Sequence, residues 1–160
     1  MFRHQQYLSI SSTLRKEFVD LLGSLEKDES TEKLTKTLHE TLTEENGSSE
    51  YCTWYLRIIT AAHLKSDIER FQMFLENEYS DIATFCSREV EPMGRECGML
   101  QCIALAEAVG IQVNIEYLDG RPFKHEEGKG LTLHEFGNLD SSTKITLLYR
   151  PGHYDILYKK

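Results

Sequence analysis

His153 and Asp155 stand two residues apart near the end of the chain, in a run that reads KITLLYRPGHYDILYK from Lys144 to Lys159. Ile145, Leu147 and Leu148 mark an apolar strand, Pro151-Gly152 a turn, and His153-Tyr154-Asp155 the start of a returning strand. Side chains two apart on a strand point to one face. The carboxylate of Asp155 can therefore hold one nitrogen of the His153 imidazole and leave the other free to exchange a proton. This is the base-plus-orienter half of a nucleophile triad. Taken alone, a strand histidine bonded to a neighbouring acid is more often structural than catalytic, so the surrounding residues must decide.

Other residues with chemical potential give weaker patterns. Cys97 lies where a helix is expected to begin, beside Arg95, and both features favour a thiolate; an incidental surface thiol is the plainer reading. Cys52, Cys86 and Cys102 fall in apolar surroundings and read as small core residues. His125 and His134 share a stretch with Glu126, Glu127 and Glu135, but the spacing matches no zinc pattern. Asn114 and Glu116 are expected on the solvated face of a strand. The aromatic residues Phe71, Phe74, Tyr149, Tyr154 and Tyr158 suit core packing, with Tyr154 a second choice as a groove-rim side chain.

Composition bounds what these residues can serve. The 160 residues suit one domain, and 40% hydrophobic with 28% charged residues is ordinary for a globular protein. A net charge of −8 without a basic cluster argues against nucleic acid as partner. No apolar run is long enough to span a bilayer, and MFRHQQYLSI lacks the apolar core of a secretory signal. The four cysteines contain no Cys-x-x-Cys pair, which suggests reduced thiols in an intracellular protein. A cytoplasmic location is expected, with the nucleus as a second compartment.

The hydrophobic period divides the chain into a helical part, 12–110, and a strand part, 111–160. Leu14, Phe18, Leu21, Leu22 and Leu25 form a helical stripe. Ser30 caps a thinner one through Leu34, Leu38 and Leu42, and Asn46-Gly47-Ser48-Ser49 reads as a turn. The segment from Glu50 to Leu64 is apolar nearly all round and belongs in a core. Ser66 and Glu69 have capping-box spacing ahead of Ile68, Phe71, Phe74 and Leu75. Ser80 can cap a short helix that Pro92 ends. A helix over 98–109 is closed by Gly110 in the left-handed conformation. Ile111, Val113, Ile115 and Tyr117 alternate with polar residues up to an Asp119-Gly120 turn. Residues 121–143 read as a long loop with one short strand at Leu131 to Leu133. The expected architecture is α/β (α+β): a helical arm beside a small, mainly antiparallel sheet of 111–118, 144–150 and 153–159.

Three segments together resemble the otubains, ovarian-tumour-type cysteine deubiquitinases that cut ubiquitin from lysine linkages. The first is Tyr55-Leu56-Arg57-Ile58-Ile59-Thr60. The second runs from Phe85 through Cys86-Ser87-Arg88-Glu89-Val90-Glu91-Pro92 to Met93, followed by Ile103-Ala104-Leu105-Ala106 and the strand from Ile111 to Leu118. The third is the contiguous block from Leu147 to Tyr158, and it is the most specific. The resemblance spans about residues 12 to 159 and implies a papain-type fold with His153 as general base and Asp155 as its orienting carboxylate. It further implies a cysteine nucleophile, backbone amides that stabilise the oxyanion, no metal or organic cofactor, and ubiquitin or polyubiquitin as partner.

Two departures qualify that implication. The family carries its nucleophile in an Asp-Gly-Asn-Cys-type motif ahead of the first helix seen here, and no Asp-Gly-x-Cys occurs in these residues. The expectation is accordingly an amino-terminally truncated domain, inactive on its own. Its alternative is a module that binds ubiquitin or a ubiquitin-conjugating enzyme without cutting. In addition, Gly94-Arg95-Glu96-Cys97-Gly98-Met99 stands where the family usually has an acidic-Ser-Asp-His run.

Overall fold

A computed structural model describes residues 2–26, 30–43, 47–75, 78–118 and 131–158. Contacts gather into two compact units, Met1–Arg95 and Glu96–Lys160. The second unit groups the last helix with the sheet. None of the described helices is long and apolar enough to cross a membrane.

The first unit is helical. Helix α1 (Phe2–Leu25) and α2 (Thr31–Thr43) precede α3 (Ser48–Ser66). Ser30 caps α2 by accepting from the Lys33 amide at 3.3 Å, as its position predicts. From the α1 stripe Leu14 is buried, whereas Leu22 is exposed, so the stripe is narrower than its spacing suggests. Phe18 meets Tyr55 of α3 with ring centroids 5.3 Å apart. Helix α3 buries Cys52, Thr60, Ala61 and Leu64.

The expected capping box at Ser66 is not formed. Ser66 is the last residue of α3 and its hydroxyl donates to the His63 carbonyl at 2.7 Å. Asp67 instead caps the short α4 (Ile68–Gln72) by accepting from the Arg70 amide. Phe71 is fully buried while Ile68 and Phe74 remain exposed. Likewise Asp81, not Ser80, caps α5 (Ile82–Phe85): its carboxylate accepts from the Thr84 amide at 2.7 Å. That bond, first among its causes, holds the Asp81 carboxyl below the usual range. A π-helical turn over Cys86–Val90 follows, closed by the Glu91 amide donating to the Cys86 carbonyl. Wider turns leave carbonyls unpaired near Pro92. The Arg57 guanidinium takes one of them, donating to Glu89 O at 3.0 Å, and also donates to Arg95 O at 3.1 Å.

The second unit packs one helix on a four-stranded sheet. Helix α6 (Met99–Val109) ends at Gly110 with φ of 75°, the predicted left-handed cap. Strands β1 (Gln112–Tyr117), β2 (Thr132–Gly137), β3 (Lys144–Arg150) and β4 (His153–Leu157) lie in the order β2-β1-β3-β4. The pairings β1/β2 and β3/β4 are antiparallel and β1/β3 is parallel. The short strand expected at Leu131 to Leu133 is thus a full partner of β1. The Asp119-Gly120 turn and most of the adjoining loop fall outside the described residues. Ala106, Val113 and Ile115 make the core, with Leu147, Tyr149, Tyr154 and Phe136 packed against it.

The face of β1 expected to be solvated is partly covered. Gln112, which shares that face with Asn114 and Glu116, is only 2% exposed. Its amide nitrogen donates to Asn114 Oδ1 at 2.9 Å and Glu135 Oε1 at 2.8 Å, which offsets the cost of burying it. Asn114 and Glu116 are partly buried, and Asn114 serves as a hydrogen-bond acceptor for that glutamine.

Candidate functional site

The site grows from the β3–β4 hairpin. Pro151 fixes the first central position of the turn, and Gly152 supplies a φ of 79° at the second, the type II pattern. Because the loop is two residues long, Arg150 pairs directly with His153, Leu148 with Asp155, and Tyr149 with Tyr154. The pleat then sorts the side chains. Tyr149 and Tyr154 face the core, so Arg150, His153 and Asp155 share the opposite face.

On that face His153 Nε2 lies 3.0 Å from Asp155 Oδ1. The second carboxylate oxygen, Oδ2, accepts from Arg150 Nη2 at 2.9 Å. The carboxylate is therefore held from both sides. The hydrogen bond with His153, foremost, and then the charges of His153 and Arg150 lower the Asp155 carboxyl from its ordinary value. With Nε2 engaged, Nδ1 is the ring nitrogen left to exchange a proton. About half of each side chain is open to solvent, 58% for His153 and 45% for Asp155, so both partners are accessible to a reactant.

His153 also opens on a cleft of about 430 Å³ whose wall includes Glu96, Cys97, Met99, Tyr149, Gly152 and Tyr154. The two predicted site residues are thus together, on one face, at a cleft. Tyr154 does both things weighed for it: it packs on Tyr149 with centroids 4.6 Å apart and also lines the cleft. Burial, and after it the neighbouring Cys102, pushes the Tyr154 phenol up.

The thiols divide as follows. Cys97 is exposed at the cleft, and its Sγ lies 3.7 Å from Cys102 Sγ. The contact with Cys97, then burial, pushes the Cys102 thiol up. Cys52 and Cys86 are buried, as expected, and burial raises the Cys86 thiol to about 11. No group of three His, Cys, Asp or Glu among the described residues is arranged to hold a metal. His134 stacks on Phe136 instead, while His125, Glu126 and Glu127 lie outside the described residues.

Arg150 is the site residue that the motif reading missed. Its signal was available in the hairpin arithmetic: a two-residue turn puts Arg150 opposite His153, within diagonal reach of Asp155.

Comparison with known proteins converges on one group. The family model for Peptidase C65 Otubain matches residues 4–159. Ubiquitin thioesterase OTUB1 of Homo sapiens is 37% identical over 142 residues, covering 89% of this chain and 48% of that protein. The human ubiquitin thioesterase OTUB2 is 33% identical over 141 residues, covering 88% of this chain and 55% of its own length. The chain spans about half the length of these relatives. Among solved structures, a complex of h/ceOTUB1 with ubiquitin aldehyde and UBCH5B~Ub aligns with a TM-score of 0.78 at 31% identity, covering 94% of this chain and 55% of the other. A ceOTUB1 complex with ubiquitin aldehyde and UBC13~Ub aligns at 0.64 and 29% identity, covering 98% and 68%.

Proposed function

The chain belongs to the peptidase C65 otubain family, and from that premise we propose that it supplies the base half of a thiol-dependent hydrolase of ubiquitin isopeptide bonds. The observation that carries this reading is the 3.0 Å contact between His153 and Asp155 at the rim of a cleft. In this reading His153 takes the proton of a cysteine thiol through Nδ1 and later returns it to the departing lysine amine. Asp155 fixes the orientation of the ring and stabilises its protonated form. Arg150 acts through Asp155 as a positioning residue. The resemblance assigns the nucleophile to an Asp-Gly-Asn-Cys-type motif that these 160 residues do not contain. An in-frame motif of that kind in a transcript complete at its 5′ end supports the reading; a complete transcript without one contradicts it.

A second reading is a module that binds ubiquitin or a ubiquitin-conjugating enzyme without cleaving. It is favoured by the solved neighbours, which hold ubiquitin aldehyde together with ubiquitin-loaded UBCH5B or UBC13. Titration of isotope-labelled ubiquitin with the product of the longest reading frame that contains these residues, in parallel with ubiquitin bearing a carboxy-terminal electrophile, separates the two. A covalent adduct lost in His153→Ala supports hydrolysis. Shifts in the ubiquitin spectrum without an adduct, unchanged by His153→Ala, support binding alone. Neither adduct nor shift from the longest reading frame that contains these residues contradicts both.

A further inference from the structure

Two neighbouring sulfurs, one of them at the cleft, have no part in the hydrolysis described above. Cys97 stands exposed just ahead of α6, and Cys102 lies in the early part of that helix, partly buried against the core. Gly98 is the N-cap of α6, and the two sulfurs on either side of it lie 3.7 Å apart. A disulfide needs about 2.05 Å, so side-chain rotation through less than the width of one atom closes the gap. Cys97 also lines the same cleft as His153.

We propose that Cys97, on the wall of the His153 cleft, and Cys102 behind it form a thiol–disulfide pair, oxidised by a low-molecular-weight disulfide such as oxidised glutathione. The exposed Cys97 reacts first. Its thiolate attacks one sulfur of the reagent, forms a mixed disulfide and releases one glutathione thiolate. The Cys102 sulfur then attacks the Cys97 sulfur, releasing the second glutathione, which leaves with the Cys102 proton. Two electrons pass from the cysteine pair to the reagent, one disulfide is lost and one is formed. Closure draws the Cys97 side chain toward α6 and away from the cleft that it lines. Oxidation therefore reshapes the cleft wall next to His153. Cys52 and Cys86, buried in the first unit, take no part.

The test is a peptide map of the intact chain after equilibration with oxidised glutathione, acid quenching, and alkylation in denaturant. The expected product is a Cys97–Cys102 cross-link, with Cys52 and Cys86 fully alkylated. Cys102→Ser is expected to stop at the Cys97–glutathione adduct, and Cys97→Ser to leave Cys102 alkylatable. Wild-type protein that keeps glutathione on Cys97, pairs either sulfur elsewhere, or leaves both alkylatable overturns the proposal. The wild-type map decides by itself should a variant fail to fold.

Discussion

Gly137 and Gly152 offer a controlled comparison, because both hold a left-handed backbone but only one is crowded. Their φ angles are 80° and 79°, so replacement by alanine costs each about 1–2 kcal/mol in backbone strain. A Cβ at Gly152 meets no atom within 4 Å. A Cβ at Gly137 would overlap the Ile111 carbonyl oxygen and come within 3.0 Å of Ala106 Cβ. That neighbour is backbone at the head of β1, where Gly137 pairs with Gln112, so it gives way only if β2 shifts off α6. Overpacking of this kind adds about 1–3 kcal/mol, for a total of about 2–5 kcal/mol. A domain of ordinary stability holds only about 5–15 kcal/mol. Urea unfolding is followed by hydrogen exchange of peptides covering β1 and β3, which report the second unit alone. Gly152→Ala is expected to lower the unfolding free energy by about 1–2 kcal/mol, and Gly137→Ala by at least twice as much. Equal losses in the two variants would refute the argument that close approach of α6 and β1 demands glycine at 137.

Three further outcomes follow from the packing and the charges. Ile115→Ala in the central strand, where the side chain is fully buried, is expected to cost about 2–5 kcal/mol; Ile156→Ala on the edge strand, 58% exposed, should stay within about 0.5 kcal/mol in the same urea assay. The Asp155 carboxyl, lowered mainly by its hydrogen bond with His153, contributes fully above its unfolded value of about 3.9 and loses that contribution as pH falls through the lower folded value. An NMR titration of its carboxyl carbon should give a midpoint below about 3.9 that rises more in His153→Ala than in Arg150→Ala; a midpoint at the free-acid value contradicts the contact. With its thiol raised to about 11, Cys86 at pH 8 is thiolate in only about one molecule per thousand, so native alkylation should reach the exposed Cys97 well before Cys86.

What could be read from the residues followed the strength of the local signal. The hairpin was legible because Pro151-Gly152 fixes a two-residue turn and the pleat then forces His153 and Asp155 onto one face. Gly110 announced the end of α6 for a similar reason. Helix starts were less legible: Ser66 and Ser80 have the right chemistry, but in each case the next residue, Asp67 or Asp81, offers a carboxylate acceptor and takes the cap. Alternation alone put Asn114 and Glu116 on a solvated face, because it cannot anticipate that Asn114 and Glu135 accept from the buried Gln112 amide nitrogen. The second half of the β2 strand was hidden by polar residues, His134 and Glu135, whose pairing depends on β1, a partner distant in sequence. At the site, Arg150 went unseen because it lies across the turn rather than within the His-x-Asp spacing.

The central claim is that His153, steadied by Asp155, is a working general base. Its most direct test is the rate at which the product of the longest reading frame containing these residues cleaves isopeptide-linked diubiquitin, compared with the His153→Ala variant. Loss of general acid–base help should slow cleavage by about 10²–10⁴-fold, with Asp155→Asn impaired in the same direction. Cleavage by His153→Ala at the unaltered rate would contradict the account.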